Sequence, residues 1–392
     1  MNPQKISKNR LTNRIKAALD STYLSEYVLA YPSVYYFGVS IICDIHCPYC
    51  PRQFYTKDID SGFMDYDAFL KTVPYLEYGE EAYFFGLGEP FLHPRFFDFI
   101  SQSLQTGIKT GTSTHGMSLK PEARKKILDL GLDELIISID SADPNTFDML
   151  RKGAKLDVVT SNILDIQKEK KRRNVSKPNI VIATAVSRHN VRGLADIMKL
   201  AKKLQAIRVV FTDLILVNPE NALVSVSRTD LFQKHYNKAK SLGKKYGIEV
   251  LYFYQYPFPW KKDPTPPRLS IKRRFCRDPW RMCILNRHGE MKPCCYYPPN
   301  TGNLFQNPLE EIINNEDNRF LRRSLLEGNI PDCCVNCGML TEISPQQSLD
   351  SLIKAKNLIE EAKNHGDFSQ KDIDDLSQLV SEYKKKFDEM YE

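Results

Sequence analysis

Two rhythms of apolar and polar positions run along most of this chain. Short apolar runs rich in Val, Ile, Phe and Tyr at 34–42, 82–85, 109–113, 134–139, 179–185 and 207–214 read as buried strands. Between them, apolar residues at three- and four-residue spacing predict helices over 65–73, 94–106, 121–130, 144–150, 158–172 and 191–204. Strands alternating with helices imply βαβ crossovers and a parallel sheet. The expected fold is therefore α/β, a full or partial (β/α)6 TIM-like barrel. Sites in such sheets gather at the carboxyl ends of the strands, so the segments directly after each strand carry the search for chemistry.

The alternation loosens beyond 214. A helix at 229–246 and a strand at 249–253 precede Pro257, Pro259, Pro264, Pro266 and Pro267, which mark a domain boundary. The resulting organisation is an N-terminal helical extension (1–33), the barrel (34–220), a connector (221–270), a small cysteine-rich unit with few regular elements (271–344) and a helical tail (345–392). In the tail, Ile373, Leu376, Val380, Tyr383, Phe387 and Met390 form one apolar stripe, suited either to a partner or to the protein's own barrel. The aromatic run 252–260 offers either a substrate mouth or packing.

Composition narrows the classes. A 42% hydrophobic fraction supports a sizeable core. No apolar run approaches the roughly 18–20 residues that span a bilayer. The first ten residues lack the apolar centre of a signal peptide. The protein is expected to be soluble and cytoplasmic. Its formal charge of +7 is carried partly by basic runs at 5–16, 168–173 and 272–274, which read as solvated faces or as contacts for an anionic partner.

Cysteine changes the picture most. There are ten, none of them between 51 and 275. Tight spacings in a large chain without a secretory signal favour metal ligation over disulfides. Cys43, Cys47 and Cys50 stand at C-x3-C-x2-C spacing just after the first predicted strand. Three thiolates can hold three corners of a cubane, which leaves one iron open to a small molecule. The other reading is a zinc site completed by His46 or a distant residue; His46 neighbours Cys47 and reaches the same ion poorly.

This segment resembles the radical S-adenosylmethionine (SAM) superfamily, whose mark is C-x3-C-x2-C with an aromatic residue before the third cysteine, here Tyr49. The resemblance implies that the open iron binds the amino and carboxylate groups of SAM. It also implies reductive cleavage of SAM to a 5′-deoxyadenosyl radical that takes a substrate hydrogen. Gly88, Glu89 and Pro90, after the second strand, match the end of the family's G-G-E-P motif, and Glu89 can accept from the SAM ammonium group. His115 stands where the family commonly has asparagine. Ser138 and Asp140, in an I-S-I-D run, are candidates for the SAM carboxylate or ribose; Asp140 could instead cap the helix near Pro144. Asn190 is a further cofactor-binding candidate, and Arg151 could pair with the SAM carboxylate or lie on the surface.

The C-terminal unit resembles the SPASM and shorter twitch domains of the same enzymes: a cysteine, a His288-Gly289 turn, Pro293-Cys294, a G-N-L segment and a closing C-x2-C. By this resemblance Cys276, Cys294, Cys334 and Cys337 bind one auxiliary [4Fe–4S] cluster, with Cys295 able to replace Cys294. Cys283, Cys295 and Cys333 are left over; each is either a small buried residue or a hydrogen donor. A four-cysteine zinc knuckle is the other reading of this unit.

The implied function is oxidation or epimerisation of a small metabolite such as a sugar or cyclitol, with flavodoxin or ferredoxin as reductant. A ribosomal-peptide maturase is the second reading, weakened because 33 residues before the first strand are too few for a leader-binding module. A non-catalytic zinc or RNA-binding protein is the reading from another class.

Overall fold

The computed structural model describes residues 6–55, 62–215, 223–226, 229–253, 274–295, 297–335, 337, 340–342 and 344–391. The proline-rich run and most of the 252–260 aromatic run lie outside the described residues.

Seven strands follow one another in space as in sequence: β1 (Val34–Gly38), β2 (Glu81–Phe85), β3 (Lys109–Thr114), β4 (Glu134–Ser138), β5 (Asn179–Val186), β6 (Arg208–Asp213) and β7 (Glu249–Phe253), all parallel. Right-handed crossovers set the intervening helices on one face. That face is dry: Phe37, Phe84, Leu135, Ile137, Phe99 and Ile163 are fully buried. The other face carries Tyr36, Phe85, Ser113, Ser138 and Thr212, each partly exposed. A sheet covered on one side only curls into a partial TIM-like barrel with an open interior.

The helix Asp230–Tyr246 and β7, placed in the connector by the sequence reading, extend the barrel sheet by one strand. At the opposite edge the cysteine-rich unit joins the same sheet. Its strand β9 (Met282–Leu285) pairs parallel with β1, and β10 (Glu290–Lys292) and β11 (Gly302–Asn303) follow antiparallel. Two short strands, β8 (Arg274–Phe275) and β12 (Thr341–Glu342), pair separately. This unit is more regular than expected. The helix Glu316–Glu327 has Asn315 as its N-cap, two acidic residues in its first turn and Gly328 in the left-handed conformation at its end.

The two chain ends pack together. Leu11, Ile15 and Leu19 of the helix Lys8–Thr22 share a core with Leu352 and Ile359 of the helix Pro345–Lys363 and with Ile373, Leu376, Val380 and Tyr383 of the helix Gln370–Tyr391. The tail stripe is thus covered by the chain's own terminal helices. The bundle is tied to the barrel by Arg10, whose guanidinium donates to the carbonyls of Leu76, Gly79, Thr106 and Gly107.

Candidate active site

Beyond Gly38 the chain runs through Ser40 to Ile42 against the segment that follows β2. Gly88 N–H donates to the Ser40 carbonyl (2.9 Å) and Glu89 N–H to the Ile42 carbonyl (2.8 Å). A Cβ on Gly88 would sit 2.6 Å from both carbonyl oxygens, so only glycine permits this approach. The two post-strand loops are thereby locked together, and the cysteine loop starts from a fixed point.

Cys43, Cys47 and Cys50 are free, partly buried thiols in that loop. Cys50 N–H donates to the Cys47 carbonyl (3.1 Å). Burial lifts the Cys43 thiol to about 11. Burial also lifts Cys47, while the Arg151 guanidinium pulls it down. His46 is exposed, and its backbone N–H donates to the Lys152 carbonyl (2.8 Å).

Glu89 is 2% exposed. Its carboxylate accepts from Thr114 Oγ1 (2.8 Å) and from the backbone N–H groups of His115 (3.0 Å) and Phe91 (3.3 Å). Burial raises its pKa, and neighbouring His115 opposes the rise. His115 Nε2 lies 2.8 Å from Asp44 Oδ1 and 3.2 Å from Glu89 Oε2, so this histidine links the second loop to the cysteine loop. Pro90 opens a short 3-10 turn directly after Glu89.

Ser138 lies on the interior face at the end of β4. Asp140, two residues on, accepts the Ala185 N–H (2.8 Å) and the Arg151 Nε–H (2.5 Å). The helix Pro144–Leu150 is capped by Asp143, whose Oδ1 accepts the Thr146 N–H at 2.8 Å, which leaves Asp140 free of that duty. Asn190 spends its amide on the chain itself. It donates to the Asp140 and Ala185 carbonyls (2.8 Å each) and accepts the Ser187 N–H (2.8 Å), pinning the β5 loop to the end of β4. Tyr49 reaches across the barrel mouth, its hydroxyl 3.1 Å from His189 Nε2. Asp44, Thr114 and His189 escaped the sequence reading. Asp44 sits inside the cysteine motif and His189 beside Asn190, but only the fold shows what they meet.

The C-terminal cysteines converge from three segments. Cys276, Cys294, Cys334 and Cys337 line one pocket together with Asp278, Leu321 and Leu325. Cys276 precedes the turn Asp278–Arg281, Cys294 follows β10, and Cys337 N–H donates to the Cys334 carbonyl (2.9 Å). Burial raises the Cys276 thiol. Cys295 is exposed, and Cys333 is partly buried with its Sγ 3.8 Å from that of Cys334. Cys283 stands apart: fully buried on β9, paired with Tyr35, on the sheet face turned from the barrel interior.

The two cysteine sets lie at opposite ends of the sheet. Cys43 comes after the carboxyl end of β1. In the parallel strand β9, Met282 lies beside Val34, so Cys276 belongs at the amino end. The antiparallel β10 returns to that end before Cys294. Ser33 N–H, just ahead of β1, donates to the Arg281 carbonyl (2.9 Å), which fixes the cysteine-rich unit there.

A parallel barrel with three thiols at its carboxyl-end mouth and a four-thiol pocket at its foot is the architecture of a two-site iron–sulfur enzyme. Residues 39–221 match the Radical SAM superfamily, and residues 276–338 match SPASM, an iron–sulfur cluster-binding domain. The chain belongs to the radical SAM superfamily and carries a SPASM-type auxiliary-cluster domain. Its cofactors are SAM, the [4Fe–4S] cluster that binds SAM, and an auxiliary [4Fe–4S] cluster. It is 26% identical over 326 residues to the tungsten-containing aldehyde ferredoxin oxidoreductase cofactor-modifying protein of Pyrococcus furiosus, covering 76% of this chain and 86% of that one. It is 24% identical over 291 residues to the AdoMet-dependent heme synthase of Methanosarcina barkeri, covering 70% and 80%. In fold it is similar to Streptococcus suis SuiB bound to S-adenosylmethionine, with a TM-score of 0.58 at 12% identity over 79% of this chain and 71% of that one. Among the described residues no helix is long and apolar enough to cross a membrane.

The donors present suit these groups. The two sets offer seven thiols outside any disulfide, and burial lifts Cys43, Cys47 and Cys276, which favours their neutral form until a metal displaces the proton.

Proposed function

We propose that Cys43, Cys47 and Cys50 hold the SAM-binding cluster, that Cys276, Cys294, Cys334 and Cys337 hold the auxiliary cluster, and that the enzyme oxidises a small molecule bound in the barrel between them. The observation that carries this reading is the convergence of four thiols from three segments on one pocket at the foot of the sheet. When bound, the cofactors would supply a 5′-deoxyadenosyl radical able to take a substrate hydrogen atom and an electron acceptor for the radical left behind, which with loss of one proton to a base would make a net two-electron oxidation.

The chain's own groups prepare that reaction. Glu89 offers a buried carboxylate to the SAM ammonium group, and Ser138 and Tyr49 line the way into the barrel. The interior-facing Ser113, Ser138, Ala183 and Thr212 are small and uncharged, which leaves room for substrate above the floor formed by Tyr36 and Tyr83. Two relatives are named for a cofactor-modifying protein and a heme synthase, which favours a small molecule of cofactor type over a peptide. The enzyme works in the cytoplasm with a flavodoxin or ferredoxin as electron donor. The fold likeness to SuiB, also solved with its precursor peptide SuiA, supports the second reading, a ribosomal-peptide maturase.

The Cys334→Ala variant tests the assignment. It should keep SAM cleavage and lose oxidised product by a factor of about 100 or more, read by mass spectrometry under anaerobic turnover with a dithionite-reduced flavodoxin. Product at the wild-type rate would remove the electron-acceptor role. Retained product carrying solvent deuterium would instead favour epimerisation, with Cys295 as the exposed hydrogen donor.

A further inference from the structure

The turn after β3 is held by its own hydrogen bonds. Gly116 N–H donates to Thr114 Oγ1 (3.0 Å), Met117 N–H to His115 Nδ1 (3.1 Å), and the Asn162 amide to the Gly116 carbonyl (2.9 Å). His115 is buried in this turn. Because its Nδ1 is an acceptor, the ring proton sits on Nε2. That nitrogen has two carboxylates within reach, Asp44 Oδ1 at 2.8 Å and Glu89 Oε2 at 3.2 Å, and its hydrogen bond goes to Asp44. Asp44 belongs to the cysteine loop: one of its oxygens, His115 Nε2 and Cys43 Sγ all lie within 4.8 Å of one another. Glu89 is nearly filled. A carboxylate offers about four acceptor sites. Thr114 Oγ1 and the Phe91 N–H take those on Oε1, and the His115 backbone N–H takes one on Oε2. The site that remains is on the oxygen nearest the imidazole.

We propose that Asp44 is a positioning residue for SAM: by taking the His115 proton, it keeps the remaining acceptor site of Glu89 open to the SAM ammonium group. This rests on the reading of Glu89 as the acceptor for that group. An imidazole whose Nδ1 accepts has one proton to give, and it cannot serve two carboxylates fully at once. With Asp44 removed, Glu89 Oε2 is the carboxylate oxygen left within reach of Nε2, and the imidazole then competes with the ligand for it. The competition belongs to histidine at this position. An asparagine has an oxygen for the Met117 N–H, but its side chain ends short of the place that Nε2 occupies.

The test uses the full chain, reconstituted anaerobically, with iron measured for every variant. SAM affinity is read from the change that added SAM makes in the EPR signal that disappears in the Cys43→Ala/Cys47→Ala/Cys50→Ala variant. Asp44→Ala should weaken SAM binding about 10-fold at unchanged iron content. Asp44→Asn still offers an oxygen to Nε2 and should stay within about threefold of wild type. Adding His115→Asn to Asp44→Ala removes the competing donor and should return most of the lost affinity, a reversal that a structural role does not produce. Wild-type affinity in Asp44→Ala, equal weakening by Asp44→Ala and Asp44→Asn, or no recovery in the double variant would each overturn the proposal. If Asp44→Ala fails to load iron, Asp44→Ser, whose hydroxyl stops short of the ring, decides on the same terms; loss of iron from both would overturn the proposal as a structural role. Wild-type affinity in Glu89→Gln would unseat the reading of Glu89 and the proposal with it, a failure told apart from that of Asp44 by the variant that shows it.

Discussion

The two thiol sets are built in contrasting ways. Cys43, Cys47 and Cys50 lie within one loop, and the fold has only to hold that loop still. It does so by backbone contacts: Gly88 and Glu89 on one side, Lys152 on the other. The auxiliary set is dispersed over 276–337, and no local segment can form it. Its pocket exists only when β9 and β10 join the sheet at β1 and the helix Glu316–Glu327 closes over it. A contiguous site tolerates loosening of distant structure; an assembled one depends on every contact that docks its pieces.

The largest effect expected from this contrast is at Arg322. It is 1% exposed and donates to the carbonyls of Glu26, Pro279 and Ile313 and to the Asn314 side chain. Arg322→Met removes the donor to the Glu26, Pro279 and Ile313 carbonyls and leaves the Asn314 oxygen only the Val28 N–H, at a cost of about 3–5 kcal/mol. Iron should be lost from the auxiliary pocket first, with SAM cleavage retained; equal loss from both sites would break the contrast.

A smaller effect is expected at Gly88. Gly88→Ala drives a methyl group into the Ser40 and Ile42 carbonyls, costing about 1–3 kcal/mol in urea denaturation. SAM binding should weaken while auxiliary iron stays. Loss of auxiliary iron with SAM affinity intact would contradict the loop-locking account.

The smallest belongs to Cys283. Cys283→Ala should cost about 1 kcal/mol for the space left in a dry core and leave iron content and product unchanged. A drop in either would bring this thiol into the chemistry.

Much of this was legible in the sequence. The strands and helices from β1 to β6 declare themselves because helix-face burial imposes an apolar rhythm, and predicted spans such as 121–130, 144–150 and 249–253 coincide with the observed elements. The cysteine loop was readable because its spacing is local. The helix Glu316–Glu327 was not, because its strongly charged composition hides an apolar face carried by Leu321 and Leu325. The roles of Asn190 and Arg151 were also hidden. Asn190 proves to hold backbone groups, and Arg151 is paired with Asp140 eleven positions earlier. Both depend on how the β4 and β5 loops close over each other, a tertiary relation with no local signature. Cys294 and Cys295 are equivalent as letters, and only the exit of β10 turns the first into the pocket and leaves the second exposed.

The most direct test of the central claim is iron and sulfide content after anaerobic reconstitution of the wild type and the Cys43→Ala/Cys47→Ala/Cys50→Ala variant. Two cubanes in separate thiol sets predict about eight irons per chain, falling to about four in the variant with the remaining cluster still visible by EPR. About four irons in the wild type and none in the variant would contradict the account, leaving the C-terminal thiols without a cluster.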